Sequence, residues 1–240
     1  MDSTKSASGS ALQTIIDTVL APHAAFERIR TAPTWILAII VSTVVGAICS
    51  YLTIPAFVHG LQASWPALVA ANPRMAQGTP EQQQVALSFA LGFAHWAWIA
   101  VFVGVPIAIL ITSVIMLLFN ALGRGSATFA MLWAAATNVT VPTTAISGIV
   151  LAIVALVRGA QSFDSAQAVY AAIPSIAWIV PSSNVKLAAF LGALNIFQIW
   201  GAVLLYVAMR VTARVGQLPA ILLALVILIG SALIATTGAR

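Results

Sequence analysis

Charge is what this sequence has least of. Of 240 residues, ten are Lys or Arg and five are Asp or Glu, 6% in all, where a globular domain carries about 25%. Fifteen ionised groups cannot cover the surface of a 25.0 kDa soluble chain, so water is excluded as its main solvent and lipid must do the covering. Cysteine is almost as scarce. Cys49 is the single one; it lies within an apolar run, rules out an intramolecular disulfide and reads as a small packing residue. The three histidines, His23, His59 and His95, fall in separate segments with no His-x-x-x-His or Cys partner, so neither a metal site nor any other cofactor is expected. The basic excess, net +5 with a pI near 10.2, forms no patch interleaved with aromatics, and nucleic acid is not an expected partner.

What is present is apolar: 61% hydrophobic residues and a mean hydropathy of +1.05. About 20 apolar residues cross a hydrocarbon core roughly 30 Å thick. Five runs meet that length, at about 34–54, 96–119, 129–156, 187–209 and 218–236. The expected fold is therefore all-α, a polytopic membrane helix bundle of about five transmembrane helices (residues 33–240) preceded by an amphipathic interfacial segment (residues 1–32). Thr79-Pro80-Glu81-Gln82 has the form of a capping box, which starts the second helix well before its apolar run. Pro106 and Pro142 fall inside runs and are expected as kinks. Residues 56–92, rich in Gln, Asn and Pro, are expected as a polar loop. Residues 157–186, with Arg158, Asp164 and Lys186 around an apolar piece broken by Pro174, are expected to touch the interface as a partial or re-entrant segment.

In the N-terminal segment Leu12, Ile15, Ile16, Val19 and Leu20 recur at helical spacing. Pro22 then opens a second short helix with Phe26 and Ile29 on one side and Glu27, Arg28 and Arg30 on others. Both pieces are expected along the cytoplasmic surface of the bilayer, with Phe26, Ile29 and the loop residue Arg124 as interfacial or partner contacts; the alternative is a helix packed on the protein itself. Met1–Ser10 is polar and no compact apolar core precedes a cleavage site, so a removed signal is not expected. Counting basic residues between the runs places the N-terminus in the cytoplasm and the C-terminus outside.

No run holds Asp, Glu, Lys or Arg in its interior, which argues against proton-coupled, pumping or voltage-sensing chemistry. Asn138, Asn195 and Gln198 are the polar residues expected at similar depth near the midplane, forming either a small polar site or interhelical hydrogen bonds. Thr137, Thr140, Thr144, Ser147 and Gly148 make a stripe of small side chains that reads as a packing seam. A hydrolase built on Ser147 and His95 lacks both a nucleophile turn and an orienting carboxylate. His95-Trp96-Ala97-Trp98 reads as an interfacial belt.

Three spaced features resemble the Yip family of five-helix membrane proteins: Pro22-x-x-x-Phe26-x-x-Ile29-x-x-x-Pro33, the loop Gly123-Arg124-Gly125-Ser126-Ala127-Thr128-Phe129 leading into the span with Pro142, and Phe197-Gln198-Ile199-Trp200. The resemblance covers about Thr18 to Ile234 and implies five helices with a cytoplasmic N-terminus. Eukaryotic members interact with Rab (Ypt) GTPases in vesicle traffic. The short N-terminal region and Ala-rich, Lys-poor composition look like the bacterial branch, so a bacterial inner membrane is the expected location and a Rab-type GTPase is a doubtful partner. The expected role is non-enzymatic, acting on membrane lipids, a membrane protein partner or a second copy of the chain. The alternative is a permease or channel for a small neutral or lipidic solute.

Overall fold

The computed structural model describes residues 2–237, with side chains from residue 11 onward. In chain order the helices are α1 Asp2–Leu20, α2 Pro22–Thr31, α3 Ile36–Ala71, α4 Pro73–Ala76, α5 Pro80–Leu122, α6 Phe129–Thr140 and α7 Ser147–Arg158. They continue as α8 Ala166–Tyr170, α9 Ile176–Ile179, α10 Val185–Ala193, α11 Ile196–Val211 and α12 Gln217–Thr237. A π-helical segment, Val141–Ile146, joins α6 to α7 without interruption. Among the described residues four helices are long and apolar enough to cross a membrane, Ile36–Ala71, Pro80–Leu122, Phe129–Arg158 and Gln217–Thr237, and Ile196–Val211 is apolar but shorter. The protein is an all-α membrane helix bundle.

Local chemistry accounts for most boundaries. Pro22 opens α2, where its missing N–H is not needed, and Pro33 keeps Ala32 extended just beyond it. The Gln82 amide donates to Thr79 Oγ1 at 3.3 Å and the Thr79 amide to Gln82 Oε1 at 3.0 Å, so the expected capping box starts α5. Pro142 removes a donor, and the helix widens into a π turn that contains it.

Two expectations are corrected. Residues 56–92 are not a polar loop. Apart from short breaks at residues 72 and 77–79 they belong to α3, α4 and the first turns of α5, because Gln, Ala and Leu are good helix formers whatever their polarity. The run 187–209 is not one helix either: α10 and α11 meet at Leu194–Asn195. There the Ile176 amide donates to the Leu194 carbonyl (3.2 Å) and the Ile196 amide to the Pro174 carbonyl (3.1 Å), an isolated antiparallel bridge between Ser175 and Asn195. Partners outside the helix take these backbone groups, so its ladder is broken.

The chain divides into two compact units, the first made of Met1–Val45, Phe102–Ser147 and Phe197–Gly230, the second of Gly46–Val101, Gly148–Ile196 and Ser231–Arg240. In the second unit Phe163 and Val169 are fully buried among Ala56, Ala155 and Ala172. Nδ1 of His59 lies 3.0 Å from the Phe163 carbonyl and Arg158 stacks over the Phe163 ring at 4.7 Å. Gly60 lies against the Ser165 backbone so closely that a Cβ would overlap its carbonyl. Cys49 is buried and packs at Gly148, where an added Cβ would sit 3.2 Å from the Cys49 Cβ.

The first unit is built around α2. Ala25, Phe26 and Ile29 have no exposed surface, and burying the two large side chains contributes roughly 1.5–3 kcal/mol each. Thr14, Ile15 and Thr18 of α1 are buried as well, with Ile15 packed in a cluster with Ala38 and Val141. Asn120, Leu132, Thr137 and Asn138 are buried elsewhere in the same unit.

Candidate functional site

Two loops of the first unit, 123–128 between α5 and α6 and 212–216 between α11 and α12, are tied into one basic corner. Asn120, in the last turns of α5, turns its amide back on the loop: Nδ2 donates to the Ala127 carbonyl (3.1 Å) and Oδ1 accepts from the Ala127 amide (3.3 Å). The Gly125 amide donates to the Asn120 carbonyl (2.7 Å), and the Ser126 amide crosses to the Ala213 carbonyl of the second loop (2.9 Å). Gly125 must be glycine here, since a Cβ would overlap Asn120 Oδ1 and come within 2.7 Å of the Ala213 oxygen. Arg124 and Arg214, one in each loop, are left-handed with φ of 52° and 56°. Each costs on the order of 1 kcal/mol for a side-chain-bearing residue, and the bonds around them hold both in place. Arg210 donates to the Val215 carbonyl at 2.6 Å, and Thr212 donates its hydroxyl to the Phe26 carbonyl of α2 at 2.9 Å.

Beside this corner α1 and α2 are clasped by the Arg28–Asp17 ion pair at 2.8 Å. The Arg28 hydrogen bond holds the Asp17 carboxyl below the usual carboxylate range, against the opposing effect of burial, and a bond from Gln13 adds to the lowering. With Thr14, Ile15 and Thr18 turned inward, α1 leaves Leu12, Ile16 and Leu20 outward at 54%, 42% and 77% exposure, a row at i, i+4 and i+8.

This changes the reading of two expected contact residues. Phe26 and Ile29 face the protein's own interior and offer nothing to lipid or to a partner; the apolar face of α2 is buried by the chain itself. Arg124 is exposed. The polar residues expected to meet at the midplane are differently engaged. Asn138 is buried and its Nδ2 donates to the carbonyls of Thr34 (2.9 Å) and Ala134 (2.8 Å). Because Thr34 lies just before α3 begins, Asn138 stands level with the start of that helix rather than with its middle. Gln198 belongs to the first unit and Asn195 to the second; both are half-buried and each has a partner within the chain.

Within the first unit one member of the small-residue stripe, Thr140, donates to Ser42 Oγ of α3 at 2.8 Å; outside the stripe, Gly201 of α11 abuts Thr143, whose Cγ2 a Cβ would overlap. His95 Nδ1 lies 2.7 Å from the Leu91 carbonyl of its own helix. Sequence reasoning missed Asn120, although a lone Asn closing an apolar helix directly before Gly-Arg-Gly is a signal for a loop clamp. It also missed that Arg30 comes together with Arg210 and Arg214, since 180 residues separate Arg30 from Arg210, which no local pattern reports.

Two of the three family-resembling motifs thus fall on packing devices: Pro22, Phe26 and Ile29 on the start and buried face of α2, and the second motif with Gly125 on the loop contact and Pro142 on the π turn. The family model of the Yip1 domain matches residues 16–238. No curated protein and no solved structure matches the chain. On the strength of a match over nearly its whole length, the chain belongs to the Yip1 domain family of membrane proteins.

Proposed function

We propose that this protein is a non-enzymatic component of a bacterial inner membrane that acts by contact, organising lipid or a membrane protein partner at the face where α1 and α2 lie, with that face toward the cytoplasm. The observation that carries the reading is the outward row Leu12, Ile16 and Leu20 on a helix otherwise held to the bundle. An exposed apolar row beside basic loops has the composition of an interfacial helix. Arg124, exposed in the adjoining loop, supplies charge for anionic headgroups or an acidic partner surface.

The test is purification in native nanodiscs with mass spectrometry of the proteins and lipids retained, comparing the unaltered chain with a Leu12→Ser, Ile16→Ser, Leu20→Ser variant. Loss of a retained protein or lipid in the variant supports the reading. Identical retention, with both proteins folded, removes its main support.

A permease for a small neutral solute is the second reading. One observation favours it: Asn138 Oδ1 and Thr34 Oγ1 are buried with no hydrogen-bond partner among the described residues, and buried acceptors of this kind are normally satisfied by something.

A further inference from the structure

Between α2, α11 and the loop that follows α11 lies an open groove of about 500 Å³ lined by His23, Glu27, Arg30, Tyr206, Arg210 and Arg214, with Val207 and Val211 along the α11 side. Three guanidinium groups and one carboxylate share it. Arg28 on the same helix is neutralised by Asp17, but among the described residues no carboxylate pairs with Arg30, Arg210 or Arg214. Glu27 lines the groove without closing on any of them. Arg210 is held in place by its bond to the Val215 carbonyl, which uses one of its five N–H donors, and Arg214 follows four residues on with a left-handed backbone. Three like charges around one opening repel each other unless an anion offsets them. Guanidinium groups match phosphate oxygens in geometry as well as in charge.

We infer that this groove binds the phosphate group of an anionic phospholipid. The lipid, rather than a soluble phosphate, is the occupant that fits the whole surface. The Val207 and Val211 wall offers an apolar side that a free anion would not use. The groove also opens where an apolar helix gives way to Arg210 in its last turn, the level at which headgroups lie. The α1 row Leu12, Ile16 and Leu20 is joined to the α2 wall through Ala21 alone. The inference rests on the contact role proposed above and adds to it a site and a headgroup chemistry.

The experiment reconstitutes the full chain into nanodiscs of phosphatidylcholine with or without phosphatidylglycerol, and measures retained lipid by native mass spectrometry and melting temperature by intrinsic fluorescence. The unaltered protein should retain phosphatidylglycerol and melt higher with it. The Arg30→Gln, Arg214→Asn variant should lose that retention by about tenfold, as expected when charge-assisted bonds are removed, while a charge-matched Arg74→Gln, Arg158→Gln variant keeps it. Asn is chosen at 214 because it tolerates the left-handed backbone. Equal losses in the two variants, or no headgroup preference in the unaltered chain, overturn the inference. So does inorganic phosphate raising the melting temperature as much as the lipid. If the double variant fails to fold, the headgroup series on the unaltered chain decides. The α1 serine variant reports separately: if it changes retained partners while headgroup preference is absent, only the groove assignment fails. If it changes nothing while the preference holds, only the contact role of α1 fails.

Discussion

Thr212 and Phe26 are 186 residues apart, and the hydroxyl of one donates to the carbonyl of the other at 2.9 Å in the buried interior of the first unit. The bond fixes α2, the second helix of the N-terminal segment, to the loop that follows α11. Its neighbours in the chain, Arg210 and Arg214 on one side and Glu27 and Arg30 on the other, line the basic groove. The spacing of those charges therefore depends on how firmly α2 is seated.

Seating by packing should outweigh seating by the hydrogen bond. Phe26→Ala removes a ring with no exposed surface and should cost about 3–5 kcal/mol, whereas Thr212→Val keeps the shape and loses one bond, about 1 kcal/mol. Thermal unfolding in detergent should show a much larger drop for the first. A Thr212→Val variant as unstable as Phe26→Ala would mean that the polar contact, not the ring, holds α2.

The joined loops make opposite demands at neighbouring positions. Gly125→Ala drives a methyl into Asn120 Oδ1 and the Ala213 carbonyl and should destabilise by about 1–3 kcal/mol, as overpacking does. Arg124→Gly relaxes a left-handed residue and should be neutral or stabilising by up to about 1 kcal/mol. Melting temperatures of the two variants test this. A Gly125→Ala protein that melts with the unaltered chain would show that the loops part without consequence.

How far the sequence reveals such features depends on whether their causes are local. Thr79 and Gln82 lie three residues apart, so the cap of α5 is legible from residue types and spacing alone, as are the start of α2 at Pro22 and the disturbance at Pro142. The break at Leu194–Asn195 is not. Hydropathy runs on through it, and the cause lies twenty residues earlier, in the backbone of Pro174 and Ile176. Phe26 and Ile29 illustrate a different limit. Their spacing shows that one face of α2 is buried, but periodicity is blind to what buries it, and lipid and protein look alike to it. The basic groove is invisible to sequence reasoning for the plainest reason, that its walls come from opposite ends of the chain.

Acid should loosen α1 specifically. Asp17 titrates below its ordinary value of 3.8 because Arg28 bonds to its ionised form. A carboxyl lowered in the folded state adds stability at pH above that ordinary value and loses it as pH falls through the lowered one. The contribution of so partly exposed a pair is under about 1 kcal/mol. Asp17→Asn should therefore melt slightly below the unaltered chain at pH 7, and the gap should close as the pH drops below about 4. A gap that persists unchanged in acid would assign the effect to something other than the ion pair.

Asn138 separates a structural role from a transporting one. Its Nδ2 donates to the Thr34 and Ala134 carbonyls, while its Oδ1 has no partner among the described residues. Removing the amide loses two bonds, one to the segment before α3 and one within its own helix, but also one unsatisfied acceptor, so Asn138→Ala should cost only about 1 kcal/mol. Asn138→Asp loses both donors and brings carboxyl oxygens to two carbonyls at the same buried place, which should cost several kcal/mol or force the side chain to stay protonated. A bundle in which Asn138 is a fastener thus gives a mild Ala variant and a severe Asp variant in unfolding measurements, with solute flux into proteoliposomes the same for the Ala variant and the unaltered chain. Flux present in the unaltered chain and abolished by Asn138→Ala, at unchanged stability, would instead make the unpartnered oxygen part of a pathway and bring the permease reading to the front.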